Sequence, residues 1–349
     1  MHSLFEACAP GDGQARVHSI GLVIRLGAAV ALLGATGACG GGGSAPAPPP
    51  PPTALSGPLA AVMWVPDPVG YDADRLAGFN RLNEIRLSAG LGMLAQNRLM
   101  DRAAQAHADW EIANDVYGHV EQPGTSAFTG AHWYDRDAAL GYAPLAGGEV
   151  ETSGYGASDA VDVLVNVVYH RAILLAIDSV DVGVGRSNQL VSNVSEPLVL
   201  DIAVPGNDVL RSLGQRSQDF TQGVVIWPVD GAQAVQTHMG GEFPDPVPDS
   251  DVLALGMPAS VTVSNSRILF VTSFSLRKAS TGEVVPTRLL TNANDPNGLI
   301  PASYAAVIPL AALSPTTAFE VDFEGAVLNS DTNVSTALSR IWTFVTGSS

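Results

Sequence analysis

Between residues 205 and 223 the chain changes its hydrophobic period, and that change divides what it can fold into. Before the change, apolar residues recur at helical spacing. Leu76, Phe79, Leu82 and Ile85 share one face behind Asp72 or Asp74 as N-cap, and Leu99, Ala103, Ala106, Trp110 and Ala113 share another. A third helix is read from Ser158 to Leu175, followed by strands at "VDVGVG" and "PLVLDIAV". After the change, β-prone runs such as "GVVIWPV", "RILFVTSFSLR" and "AFEVDFEGAV" alternate with Pro, Asn, Asp and Gly turns. The fold class is therefore α+β: helices with strands over residues 71–204, a connector at 205–223, and an antiparallel β-sandwich over 224–349. The two units are expected to fold independently.

A chain of 349 residues has room for two such cores. It carries 17 basic against 34 acidic residues, and a net charge of -17 repels a polyanion, so nucleic acid is excluded as a partner. The two cysteines, Cys8 and Cys39, precede the folded regions, so no disulfide staples the body and no Cys-based zinc site exists. Residues 1–39 have the layout of an export signal, with Arg16 and Arg25, an apolar run from Leu26 to Leu33, and small residues leading to Cys39. "ATGAC" resembles the bacterial lipobox, with Thr36 at the usual leucine position, and implies lipidation of Cys39 and a membrane anchor. Residues 40–70 contain "GGGGSAPAPPPPPTALSGP", whose glycines are flexible and whose prolines are extended, and form a tether.

The stretch "NDVYGHVEQPGTSAFTG" sets His119 and Glu121 in the loop that follows the second helix. His107, beside the stripe of that helix, is read as a partly buried histidine bonded to a neighbour. Residues Glu121 to Tyr155 read as one long loop, in which Arg136 fixes an ion pair and His132 and Trp133 are exposed. No Gly-x-Ser-x-Gly elbow, phosphate-binding loop or dinucleotide fingerprint is present.

The segment "FNRLNEIRLSAGLGMLAQNRLMDRAAQAHADWEIANDVYGHVE", followed in order by "AFTG", "DRDAALGY", "GGEVETSGYG", "YHRAILL" and "VDVGVG", resembles the CAP superfamily of cysteine-rich secretory, antigen 5 and pathogenesis-related proteins, in its bacterial, cysteine-free branch. The resemblance covers about Asp74 to Val204. It implies an α/β/α sandwich whose cleft gathers His119, Glu149 and His170, a set able to hold zinc or another divalent metal. Val150 stands where the family turn has asparagine, which leaves Glu151 as a rival to Glu149. Many relatives carry a second glutamate on the helix before the last histidine, whereas this chain offers Asp159, Asp162 and Asn166 there. The final strands resemble bacterial Ig-like domains, with Phe319, Phe323, Trp342 and Phe344 in the core.

The function these features imply is an exported, lipid-anchored CAP-domain protein that binds a small apolar ligand, an envelope component or a partner protein. The alternative is a divalent-metal-dependent hydrolase with Glu149 as its base. Replacing Cys39 with serine is expected to move the exported protein from the detergent-rich to the aqueous phase on phase partitioning. Retention of the Cys39→Ser variant with the membrane would refute the anchor.

Overall fold

A computed structural model describes residues 61–208, 216–219 and 223–348. The export signal, Cys39, most of the tether and part of the connector lie outside the described residues.

The first part of the chain contains α1 (Ala73–Ser88), β1 (Ala95–Gln96), α2 (Arg98–Asn114), α3 (Trp133–Ala139), β2 (Pro144–Thr152), α4 (Ala157–Val165), α5 (Val168–Leu174), β3 (Asp181–Arg186) and β4 (Leu198–Pro205). Its sheet has the order β1-β3-β4-β2, parallel between β1 and β3 and antiparallel elsewhere. Of the two caps read from the sequence, Asp72 is the one that caps α1, accepting the Arg75 N–H at 2.8 Å. Strand period then sorts β4 between two layers: Leu198, Leu200 and Ile202 join the core under α1 and α4, while Val199 and Ala203 meet α2. Helices thus cover both faces of the sheet.

Two glycines set how near α2 can come. A Cβ on Gly183 would stand 2.2 Å from the Met100 carbonyl carbon, and one on Gly185 would stand 2.2 Å from that of Ala104. Any side chain at either position would push α2 off β3, and with it every residue that α2 presents to the sheet.

Two readings of the sequence are corrected here. The single helix from Ser158 to Leu175 is two helices, α4 and α5, broken at Asn166 and Val167. A helix restarts there because distant groups satisfy both of its broken ends. Glu242 accepts the N–H groups of Val168, Tyr169 and His170 at 2.9, 2.8 and 3.2 Å, while Arg171 donates to the carbonyls of Val165 and Asn166 at 2.7 and 3.2 Å. The supposed long loop from Glu121 to Tyr155 contains α3 and β2. Asp135 accepts the His132 N–H at 3.2 Å and starts α3, and Gly147 and Gly148 obscure the strand pattern of β2.

The second part holds two four-stranded sheets. One has the order β5 (Val224–Trp227), β7 (Ala259–Val263), β10 (Tyr304–Pro309) and β9 (Thr287–Thr291). The other has the order β6 (Ala232–Val235), β12 (Val334–Thr346), β11 (Ala318–Asn329) and β8 (Arg267–Lys278). Their inner faces meet in a core that includes Phe319, Phe323, Trp342 and Phe344, as expected. The arrangement departs from a purely antiparallel sandwich at one edge, where β6 runs parallel to β12.

The change of period does not separate the packing. Val167, Val168, Tyr169 and Ala172 share a buried cluster with Leu255, Leu290, Tyr304 and Ile308. Arg171, fully buried, reaches the Pro258 carbonyl at 2.9 Å, and burial lowers its pKa. Asp178 accepts from Ser264 Oγ and the Asn265 N–H at 2.9 and 2.8 Å. This continuity opposes independent folding of the two parts. Arg171→Ala strips donors from several buried carbonyls and is expected to cost about 3 kcal/mol. In a denaturant titration the helical circular dichroism and the tryptophan fluorescence should shift together, since one side chain braces both parts.

Candidate functional site

The site grows from two spacings. His107 and Glu111 lie four apart on α2 and face the same way, while Glu149 and Glu151 lie two apart on β2 and face α2 and α3. Register places Asp201 of β4 directly beside Glu149. The sheet therefore turns a row of carboxylates into a protein-covered layer, where an unpaired charge is costly.

Cations compensate that row. Arg136, on α3 and 1% exposed, pairs its Nη2 with Glu149 Oε2. His107, fully buried, places Nδ1 3.1 Å from Glu121 Oε1 and Nε2 3.3 Å from Glu151 Oε2 and 3.9 Å from Glu149 Oε1. His119 stands at the rim with its side chain 42% exposed, Nδ1 lying 3.0 Å from Glu149 Oε1 and 3.8 Å from Glu151 Oε2. Glu121 also accepts the Thr129 N–H at 2.6 Å, which ties the loop over the site.

Protonation follows from this crowding. Burial opposes charge on His107, yet Glu149, Glu121 and Glu151 raise its pKa to about 10. Burial likewise opposes charge on His119, but Glu151 and Glu149 raise its pKa to about 9. Burial also works against an ionised Glu149, and His107, Arg136 and His119 overcome it, holding that carboxyl well below its ordinary range. The surplus carboxyls go the other way. Burial and the Glu151 charge push Glu111 up to about 8, burial and Glu149 push Asp137 up to about 7, and burial with the same neighbour pushes Asp201 well above its usual value.

Of the residues read from the sequence, His119 and Glu149 are brought together directly. The ring of His170 lies 6.1 Å from that of His119, and its Nδ1 is 3.0 Å from Glu242 Oε1. Glu151, the rival of Glu149, is also present in the site. Arg136, read as an ordinary loop ion pair, is the buried counter-charge of Glu149. His132 is exposed as expected, whereas Trp133 is half-buried against Met100, Tyr142 and Ala203; Asp159 is exposed, and Asp162 pairs with Arg81 at 2.7 Å on the surface. Sequence reasoning missed His107, Glu111 and Asp201 as members. The i, i+4 pair of a histidine and a glutamate on α2 was the available signal. Among the described residues, two groups bring metal-ligating atoms together: His119 with Glu149 and Glu151, and His107 with Glu111 and Glu151.

Residues 79–191 match the family model described as the cysteine-rich secretory protein family, CAP, which supports a CAP domain in this part of the chain. No curated protein matches the chain. Among solved structures, an extracellular protein containing an SCP domain from Bacillus anthracis str. Ames is similar at 20% identity and a TM-score of 0.31, over 37% of this chain and 40% of that one. An outer surface protein from Borrelia burgdorferi is similar at 16% identity and a TM-score of 0.32, over 38% of this chain and 92% of that one. The chain thus spans less than half of the first of these structures.

The charges predict a pH profile. His107 and His119 bind protons more tightly in the fold than in the unfolded chain, so their stabilisation is complete below about pH 6.5 and disappears as pH rises towards their raised values. The contribution of Glu149 has the opposite sign: it is present above the ordinary carboxylate pKa and is lost as the solution is acidified. Chemical denaturation at a series of pH values should show stability falling from pH 7 to 10, and His107→Gln should shrink that fall by about half.

Proposed function

We propose that the chain is an exported CAP-domain protein, lipid-anchored through Cys39 and held off the membrane by its tether, that binds a small apolar molecule, an envelope component or a partner protein over the cleft formed by His119, Glu149 and His170. The observation that carries this reading is the contrast around His119. Val116, Tyr117 and Val120, its neighbours in the loop, are each more than 40% exposed, while the carboxylates beneath are buried and paired. Apolar side chains grouped at a loop that a rigid scaffold holds in place favour docking of an apolar surface.

In this reading residues 71–204 bind, residues 205–223 connect, and residues 224–349 form an Ig-like sandwich that acts as a spacer or adhesive module. The hydrolase reading has less support. It requires Glu149 as a base, and a carboxylate engaged by both Arg136 and His119 is a poor proton acceptor.

The apolar fluorophore ANS serves as a probe of the surface. Fluorescence titration should show affinity falling about tenfold when Val116 and Val120 are both replaced by lysine, as expected for the loss of two apolar contacts. Equal affinity in parent and variant would remove the binding surface from this loop. Zinc-dependent hydrolysis of p-nitrophenyl acetate that Glu149→Gln abolishes would favour the hydrolase.

A further inference from the structure

The two sheets of the second part differ in length. β12 has 13 residues and β11 has 12, whereas β10, in the other sheet, has 6. At about 3.3 Å per residue the long sheet spans about 40 Å against about 20 Å for the short one, so one end of it overhangs. The inner face of β12 records that overhang. Trp342 and Phe344 are buried in the core, whereas Val334 and Thr336, on the same face of the strand, are exposed, Val334 by 57%.

The overhang has an open side. β12 pairs with β11 along one edge from Val334 to Val345 without a register shift, but along its other edge it meets β6 only at Phe344 and Thr346. Next to that contact, Thr343 donates its N–H to Asp230 Oδ1 and accepts the Gly231 N–H, at 3.0 and 2.8 Å. Backbone groups alternate in direction along a strand, so Ser335, Ala337, Ser339 and Ile341 point theirs the same way as Thr343. Among the described residues no backbone group pairs with them, and the Ser339 carbonyl accepts only from Arg340 Nη1, at 2.8 Å. Natural edges are blunted by proline, lysine, a bulge or a short strand, and "STALSRI" has none of these.

The charge beside this edge is also uncovered. An open cleft of about 920 Å³ is lined by Val334, Thr336, Leu338 and Arg340 of β12 together with Arg267 and Asp219. Asp219 is engaged by Ser217 Oγ and, at 2.7 Å, by the Gly223 N–H. Arg267 and Arg340 are both half-buried, yet among the described residues neither forms an ion pair. The chain has 34 acidic against 17 basic residues, so a guanidinium left without a carboxylate at a free edge is open to one from outside.

We propose that the free edge of β12, from Ser335 to Ile341, is a docking site for an extended acidic segment of a partner protein, which adds to the sheet as a further strand and sets a carboxylate against Arg340.

The chemistry selects this occupant. Donors and acceptors that repeat at strand spacing are matched by another polypeptide backbone and not by a glycan or a lipid. Every second side chain of an added strand projects over the cleft face, where an apolar residue meets Leu338 and a carboxylate meets Arg340. A second copy of this chain supplies no such group, since "STALSRI" contains no acidic residue. The inference does not rest on ligand binding at the His119 loop, which belongs to the first part of the chain.

The probe is the labelled peptide Thr-Val-Thr-Glu-Thr-Val-Thr, titrated against the full chain by fluorescence anisotropy, with amide hydrogen exchange followed by NMR. In the unmodified protein the N–H groups of Ala337 and Ser339 should exchange fast, and saturating peptide should slow them by about tenfold or more. Those of Thr336 and Leu338, which face β11, should change little. Arg340→Glu should weaken the peptide about tenfold and favour a version with lysine in place of glutamate. Ala337→Pro removes one outward N–H, leaves the ladder to β11 in place, and should abolish binding. The proposal is overturned if the peptide leaves exchange at Ala337 and Ser339 unchanged, or if the glutamate and lysine peptides bind the parent equally. It is also overturned if sedimentation shows a dimer that Ala337→Pro dissolves, which would give the edge to a second copy. The exchange measurement needs no substitution, so it decides the matter even where a variant fails to fold.

Discussion

The ion pair between Arg136 and Glu149 is the interaction on which the first half of the molecule depends. β2 and β4 place Glu149, Glu151 and Asp201 on the covered face of the sheet, and α2 and α3 then close over them. A dry row of carboxylates cannot stand without compensation. Arg136 supplies a permanent cation, His107 and His119 supply proton-dependent ones, and burial with the nearby Glu149 charge makes Asp201 and Asp137 hold their protons more tightly than ordinary carboxyls. The site is thus also a structural element, because its charges fix α3 and the His119 loop against the sheet.

That element depends on a steric condition elsewhere. Gly183 and Gly185 let the α2 backbone lie on β3, and only at that spacing do His107 and Glu111 reach the carboxylates of β2. The opposite side of the cleft has a different support. Glu242, from the second part of the chain, restarts α5 by accepting three backbone N–H groups and holds the His170 ring through Nδ1. The β-rich part therefore does more than follow the helical part, because its Glu242 orients His170.

Legibility varied with the range of the interaction. The α1 stripe, the Asp72 cap and the aromatic core of the sandwich were readable, because helix and strand periods are properties of residues a few positions apart. The break between α4 and α5 was not, since apolar residues continue on both sides of Asn166 and conceal an interruption stabilised by Glu242, more than seventy positions away. α3 and β2 were hidden for a related reason. One is short and set by a local box at His132 and Asp135, and the other holds two interior glycines whose strand character comes from pairing with β4.

The order of motifs along the chain was enough to identify a CAP-like segment and to name His119, Glu149 and His170, and the change of period was enough to separate a helical part from a β part. Tertiary structure decided which of those residues share a site. His107 looked like any helix histidine until β2 brought two carboxylates to it, and Arg136 looked like a loop cation until burial made it the counter-charge of Glu149. The reason is physical: periodicity encodes which face of an element is apolar, whereas the energy of a buried charge depends on groups that only the folded sheet brings within a few ångströms.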